Sequence, residues 1–172
     1  NGNNFVLWLR VDTNGGYADV KVDGRDFGRL TFYFPETRWQ VPAAIDNLGE
    51  GQHVIVLTVS TTKPARSQGT NVYVDALENP APASLGPSPA QMSAVTRTNF
   101  YRTQVGLPPV RHNLALGLAA TAHGNYLTDV DFIANGSSPH VERFGASRFF
   151  SGEQPSDRAA LYGYTGLSVG ED

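Results

Sequence analysis

From Phe5 to Asp75 apolar residues recur at every second position or in short clusters: Phe5-Val6-Leu7-Trp8-Leu9, Tyr17-Ala18-Asp19-Val20-Lys21-Val22 and Leu30-Thr31-Phe32-Tyr33-Phe34. That period is the signature of strands with one buried face. Two further runs, His53 to Val59 and Asn71 to Ala76, are rich in β-branched residues that suit a pleated surface. Asn14-Gly15-Gly16 and Asp23-Gly24 separate the runs and tolerate positive φ, which predicts tight hairpins there. Residues 1–78 are therefore predicted to form an all-β, antiparallel sandwich.

After that the period changes. Residues 79–89 read Asn-Pro-Ala-Pro-Ala-Ser-Leu-Gly-Pro-Ser-Pro, a composition that blocks helix and central strand alike and predicts a linker. Ser88 is a suitable N-cap and Pro89 a suitable first helical residue, and Met92, Val95, Asn99-Phe100 and Thr103 follow at helical spacing, predicting a helix to about Gln104. Gly106-Leu107-Pro108-Pro109 then connects to a second predicted helix from Asn113 to Asp129, which would bury Leu114, Leu118, Ala122 and Tyr126. A third short helix is expected from Ser156 to Tyr162. Residues 90–172 are thus predicted to be mainly helical, with irregular loops that hold several polar residues.

Composition narrows the classes. Among 172 residues, 40% are hydrophobic and 17% charged, enough apolar material to fold and too few charges for a disordered chain. The formal charge of −3 is spread evenly along the chain and leaves no basic stripe to neutralise phosphates, which points away from a nucleic-acid partner. No apolar run approaches the length needed to cross a bilayer as a helix, so no transmembrane segment is expected. The absence of cysteine removes disulfides, thiolate metal sites and Cys nucleophiles together. The sequence begins at Asn1 without an initiator Met and reads as an excerpt. Asp12, Asn14 and Asp19 lack the spacing of a twelve-residue calcium loop and fit a hairpin instead. Trp8, Tyr33 and Trp39 are candidates for stacking on the C–H face of a sugar ring, with core packing as the alternative for each.

The order of short motifs in the second half is more specific than any one of them. Asn99-Phe100-Tyr101-Arg102, Gly106-Leu107-Pro108-Pro109-Val110, the run Leu118 to Leu127, Pro139-His140-Val141-Glu142, Phe150-Ser151-Gly152, Pro155-Ser156-Asp157-Arg158-Ala159, Gly163-Tyr164 and Gly170-Glu171-Asp172 together resemble the CAP superfamily of cysteine-rich secretory, antigen 5 and pathogenesis-related proteins, in its bacterial branch. The resemblance implies an α+β fold, a CAP-type α-β-α sandwich of which only the helical first part is present, with a cleft that takes a metal, an apolar ligand or a partner protein. It places His140 and Glu171 at that cleft, although the motif reads Gly-Glu-Asp where the family has Gly-Glu-Asn, and a later His would lie beyond Asp172.

His140 could then hold a divalent metal such as zinc through a neutral imidazole, with Glu171 as a second ligand or as the base on a metal-bound water. Two residues do not complete a zinc site, and no Ser or Cys nucleophile motif accompanies them, so the sequence leans away from an enzyme. Glu142, two residues after His140, either tunes that imidazole or is a solvated loop carboxylate. His123 reads as a hydrogen-bonded helix residue and Arg158 as a structural ion pair or a loop clamp.

The first half resembles a second family. Ala18 to Gly24, Leu48-Gly49-Glu50-Gly51-Gln52-His53-Val54-Ile55, Ser67 and Val72 to Ala76 are similar to the later portion of a galactose-binding-like jelly roll. That implies an incomplete β-sandwich module that contacts carbohydrate or acts as a spacer. The two resemblances imply an extracellular or cell-surface bacterial protein. Three functions remain open: a binding or structural module that contacts glycan, a cell-wall component or a neighbouring surface protein; a metal-assisted hydrolase using His140 and Glu171; and a self-associating polymer subunit whose neighbours complete the open domains.

Overall fold

The structure is a computed structural model, and it describes residues 3–79, 81, 83–131, 138–166 and 169. Its fold is mixed α+β, with two antiparallel three-stranded sheets and three α-helices among the described residues. The strands are β1 (Phe5–Val11), β2 (Tyr17–Val22), β3 (Arg25–Thr31), β4 (Arg38–Ile45), β5 (Ile55–Val59) and β6 (Tyr73–Glu78). One sheet has the order β4-β1-β6 and the other β3-β2-β5. Phe5, Leu7, Leu9 and Val11 of β1 face Ala18, Val20 and Val22 of β2 across a common core, as the period of two requires.

Several local expectations change. Asp23-Gly24 does join a hairpin, β2 to β3, with both residues at positive φ (53° and 77°). Asn14-Gly15-Gly16 does not: β1 and β2 lie in different sheets, so this segment crosses the sandwich. Its glycines serve close approach, because a Cβ on Gly15 would fall 1.7 Å from the Phe32 carbonyl oxygen. The strand expected at residues 30–34 lies earlier, at Arg25–Thr31, and β4 adds a strand to the five expected. β4 contains Pro42 and a positive-φ residue, Gln40, both of which an edge strand tolerates.

The helices are α1 (Pro89–Gln104), α2 (Leu114–Asp129) and α3 (Pro155–Leu161). α1 starts on a capping box in which the Gln91 N–H donates to Ser88 Oγ and the Ser88 N–H donates to Gln91 Oε1. It buries none of its side chains. α2 differs: Leu114, Ala115, Ala119, His123 and Tyr126 are buried, a stripe rotated slightly from the expected Leu114, Leu118, Ala122 and Tyr126. The sandwich caps this helix, since Asp46 accepts from the Leu114 N–H at 2.6 Å and from the Asn113 side chain at 3.2 Å.

The packing crosses the boundary between the halves. Tyr126, Phe150 and Leu161 belong to the same core as the inner faces of both sheets. A second cluster on the outer face of β1 and β4 joins Val6 and Ala44 to Leu114 and Ala115. The proline-rich stretch is laid against it through Ala81 and Leu85, and the Ala81 N–H donates to the Asn4 carbonyl. Residues 162–165 run along the outer strands: the Ala44 N–H donates to the Tyr162 carbonyl at 2.9 Å, and Thr165 Oγ1 donates to the Phe27 carbonyl at 2.7 Å. Gly163 (φ 92°) passes so close to β4 that a Cβ would stand 2.8 Å from the Ala44 oxygen. The β3 and β4 edges are thereby covered.

Candidate functional site

A cleft of about 710 Å³ opens where the sandwich meets the second half. Tyr17, Thr31, Tyr33 and Pro35 form one wall, and Pro64-Ala65-Arg66, from the β5–β6 connection, form another. Opposite them stand loops 141–144 and 150–153 with the Asp157, Ala160 and Leu161 side of α3. The floor is aromatic. Phe34 and Phe150 have ring centroids 5.7 Å apart, and Phe144 meets Phe150 edge to face at 5.5 Å. Arg66 and Glu153, both exposed, line the cleft and approach each other to 3.7 Å. An exposed pair of that length contributes little and opens readily.

The far wall is held from behind by a buried polar cluster. Glu142 and Arg158 are 0% and 1% exposed. Glu142 Oε2 accepts from the Ser151 N–H at 2.6 Å, and Oε1 lies 2.9 Å from His123 Nδ1 and accepts from Ser151 Oγ at 3.1 Å. The Arg158 guanidinium stands 3.7 Å from Glu142 and donates to the carbonyls of Gly152, Glu153 and His140. His123 Nε2 lies 2.7 Å from the Pro139 carbonyl, and Tyr126 Oη accepts from the Arg143 N–H at 2.8 Å. α2 and α3 thus grip both loops that form the wall. Gly152 (φ 155°) permits this, since a Cβ there would lie 2.8 Å from the Arg158 nitrogen. Burial also pushes the phenol of Tyr162, beside the same core, above its usual range.

This arrangement corrects the readings of Glu142. It is neither a solvated loop carboxylate nor the partner of the His140 ring: its hydrogen bonds go to His123, Ser151 and Gly152. Its acceptor capacity is spent on structure. Ser151 Oγ donates to the carboxylate and is not set against an imidazole, so the cluster lacks the nucleophile–base geometry of a hydrolytic triad. His140 is exposed; its N–H donates to Ser138 Oγ, and its carbonyl receives Arg158. Glu171 lies outside the described residues. Among the described residues no three His, Asp or Glu side chains gather to hold a metal.

The three stacking candidates separate. Tyr33 lines the cleft. Trp8 is half-buried on the outer face of β1, packed against the Val6–Leu114 cluster, and its indole N–H donates to Glu78 at 2.9 Å. Trp39 is 65% exposed on β4, with the Arg10 guanidinium 4.9 Å from its ring and 4.4 Å from that of Tyr73. No protein-family model, curated protein or solved structure matches this chain. The CAP-like and jelly-roll-like readings therefore rest on the residues that carry them.

Proposed function

We propose that the chain is a non-catalytic binding module of an extracellular or cell-surface bacterial protein, whose ligand occupies the cleft between the β-sandwich and the helical half. In this reading the first half is a jelly-roll-like module and the second a CAP-like domain, and the site is built by both. The observation that carries it is a cavity of about 710 Å³ with an aromatic floor and an exposed ion pair on its walls, a size and lining that suit a compact ligand of largely apolar surface. Tyr17 and Tyr33 add ring faces and hydroxyls, so a glycan with an exposed C–H face is the polar extreme of the same ligand class. A wall clamped by buried ionic bonds supports the reading, because a preorganised site loses less entropy on binding.

The test fills the cleft from its mouth. Ala65 is exposed and lines the opening, so Ala65→Trp introduces bulk without touching the core. A fluorescent apolar probe and a panel of soluble glycans are titrated by calorimetry or fluorescence. Saturable binding to the wild type that weakens at least about tenfold, or 1.4 kcal/mol, in Ala65→Trp is the expected result. Binding unchanged by the substitution would refute this site.

A further inference from the structure

Two strand edges stay open on the side of the sandwich away from the covered β3 and β4 edges. β6 pairs with β1 and β5 with β2, and no strand lies beyond either among the described residues. Register determines which way their side chains point, because residues directly opposite in an antiparallel pair share a face. Val59 is opposite Ala18, Val74 opposite Leu9 and Leu77 opposite Leu7, and those three partners are all buried in the interior. Val59, Val74 and Leu77 therefore face the space between the sheets, yet they are 57%, 45% and 54% exposed. An inward row of apolar side chains left half in water marks a core that is unclosed along one side.

The geometry of this side selects what closes it. β5 ends and β6 begins at the same end of the sandwich, since the Ser60 N–H donates to the Tyr17 carbonyl and the Asn71 N–H to the Asn14 carbonyl. The two open strands thus run in opposite directions. A half-turn about an axis parallel to the strands brings β6 of one molecule antiparallel to β5 of another, and β5 to β6, with every inner row still facing inward. The charges agree with that pairing. β6 carries Asp75 and Glu78, whereas β5 carries no charge and is followed by Lys63 and Arg66, so β6 against β5 avoids the acid-on-acid contact of β6 against β6. We infer that the β5–β6 side is a self-complementary surface on which a second copy of this chain docks, making the order β4-β1-β6-β5-β2-β3 in each of two continuous sheets.

The chain has no cysteine, which makes cross-linking a clean reporter. Thr58, opposite Asp19, and Ala76, opposite Trp8, lie on the outward faces of β5 and β6. Thr58→Cys/Ala76→Cys is expected to give a covalent dimer on mild oxidation, while neither single variant does. Sedimentation equilibrium of the intact wild-type chain at micromolar concentration should return twice the chain mass, and Leu77→Lys should halve it. Val59→Lys, on the other sheet, serves the same end should Leu77→Lys fail to fold. A wild-type protein that stays monomeric, or a dimer that Ala76→Cys alone can lock, overturns the inference.

Discussion

The two sides of the sandwich have similar sequence chemistry and opposite fates. On the β3/β4 side, Leu30, Phe32, Val41, Ala43 and Ile45 are buried because residues 144–165 lie against them and residues 162–165 occupy the strand edges. On the β5/β6 side, the inward Val59, Val74 and Leu77 are exposed although these strands are the richer in branched apolar residues. Apolar alternation decides that a strand forms and which face is inner. What lies across that face decides whether burial follows, and the cleft sits where the second half meets the sandwich.

The largest expected effect comes from unpicking the clamp on that closed side. Arg158→Met leaves Glu142 buried without its guanidinium and frees three carbonyls, and should cost about 3–5 kcal/mol in urea unfolding. A loss below about 1 kcal/mol would mean that the cluster is not what holds the wall. Next, Leu161→Ala removes a core contact between α3 and the sandwich and should cost about 2–5 kcal/mol. A pair of valines sharpens the contrast. Val41→Ala, on the closed side, should cost about 1.5–3 kcal/mol. Val59→Ala, in the inward row of β5 but 57% exposed, should stay within about 0.5 kcal/mol in protein dilute enough to be monomeric, and equal losses would erase the distinction between the sides.

The smallest effect concerns pH at the open side. His53 Nδ1 lies 2.7 Å from Asp23 and its Nε2 lies 2.7 Å from the Gly49 carbonyl. The hydrogen bond to Asp23 raises the His53 pKa, and the same bond lowers that of Asp23. The histidine contributes stability that is complete below its unfolded pKa of about 6.5 and is lost as pH rises through the higher folded value. The aspartate contributes stability present above about 3.9 and lost as pH falls through its lower folded value. The β2–β3 turn should therefore be tightest between those limits. Exchange of the Val54 amide, which donates to Asp23, should speed up above neutrality beyond the intrinsic rate, and His53→Ala should remove that dependence.

Local signals carried much of the fold. β1 and β2 follow from alternation, the β2–β3 turn from Asp23-Gly24, and the start of α1 from Ser88-Pro89. What escaped depends on partners distant in sequence. β4 is obscured by Pro42 and by the kink at Gln40, and its strand character comes from pairing with β1, where Pro42 stands opposite Trp8. Asn14-Gly15-Gly16 resembles a hairpin turn, and only the opposing Phe32 and Thr70 backbones reveal a crossing. The buried cluster was the least legible, since Glu142 and Arg158 carry the residue types of a surface and go inside only because His123, Ser151 and three carbonyls satisfy them. Their immediate neighbours gave no signal of burial either, since Glu142 lies between His140 and Arg143 and Arg158 follows Asp157.

The central claim is that the sandwich and the second half share one core, with the cleft as their seam. Both tryptophans, Trp8 and Trp39, belong to the sandwich, while α2 and α3 belong to the second half. Urea unfolding followed by tryptophan fluorescence and, in parallel, by the native amide resonances of α2 and α3 therefore reads the two halves separately. Superimposable transitions that Arg158→Met shifts together are the predicted result. Two transitions at separate urea concentrations would contradict it.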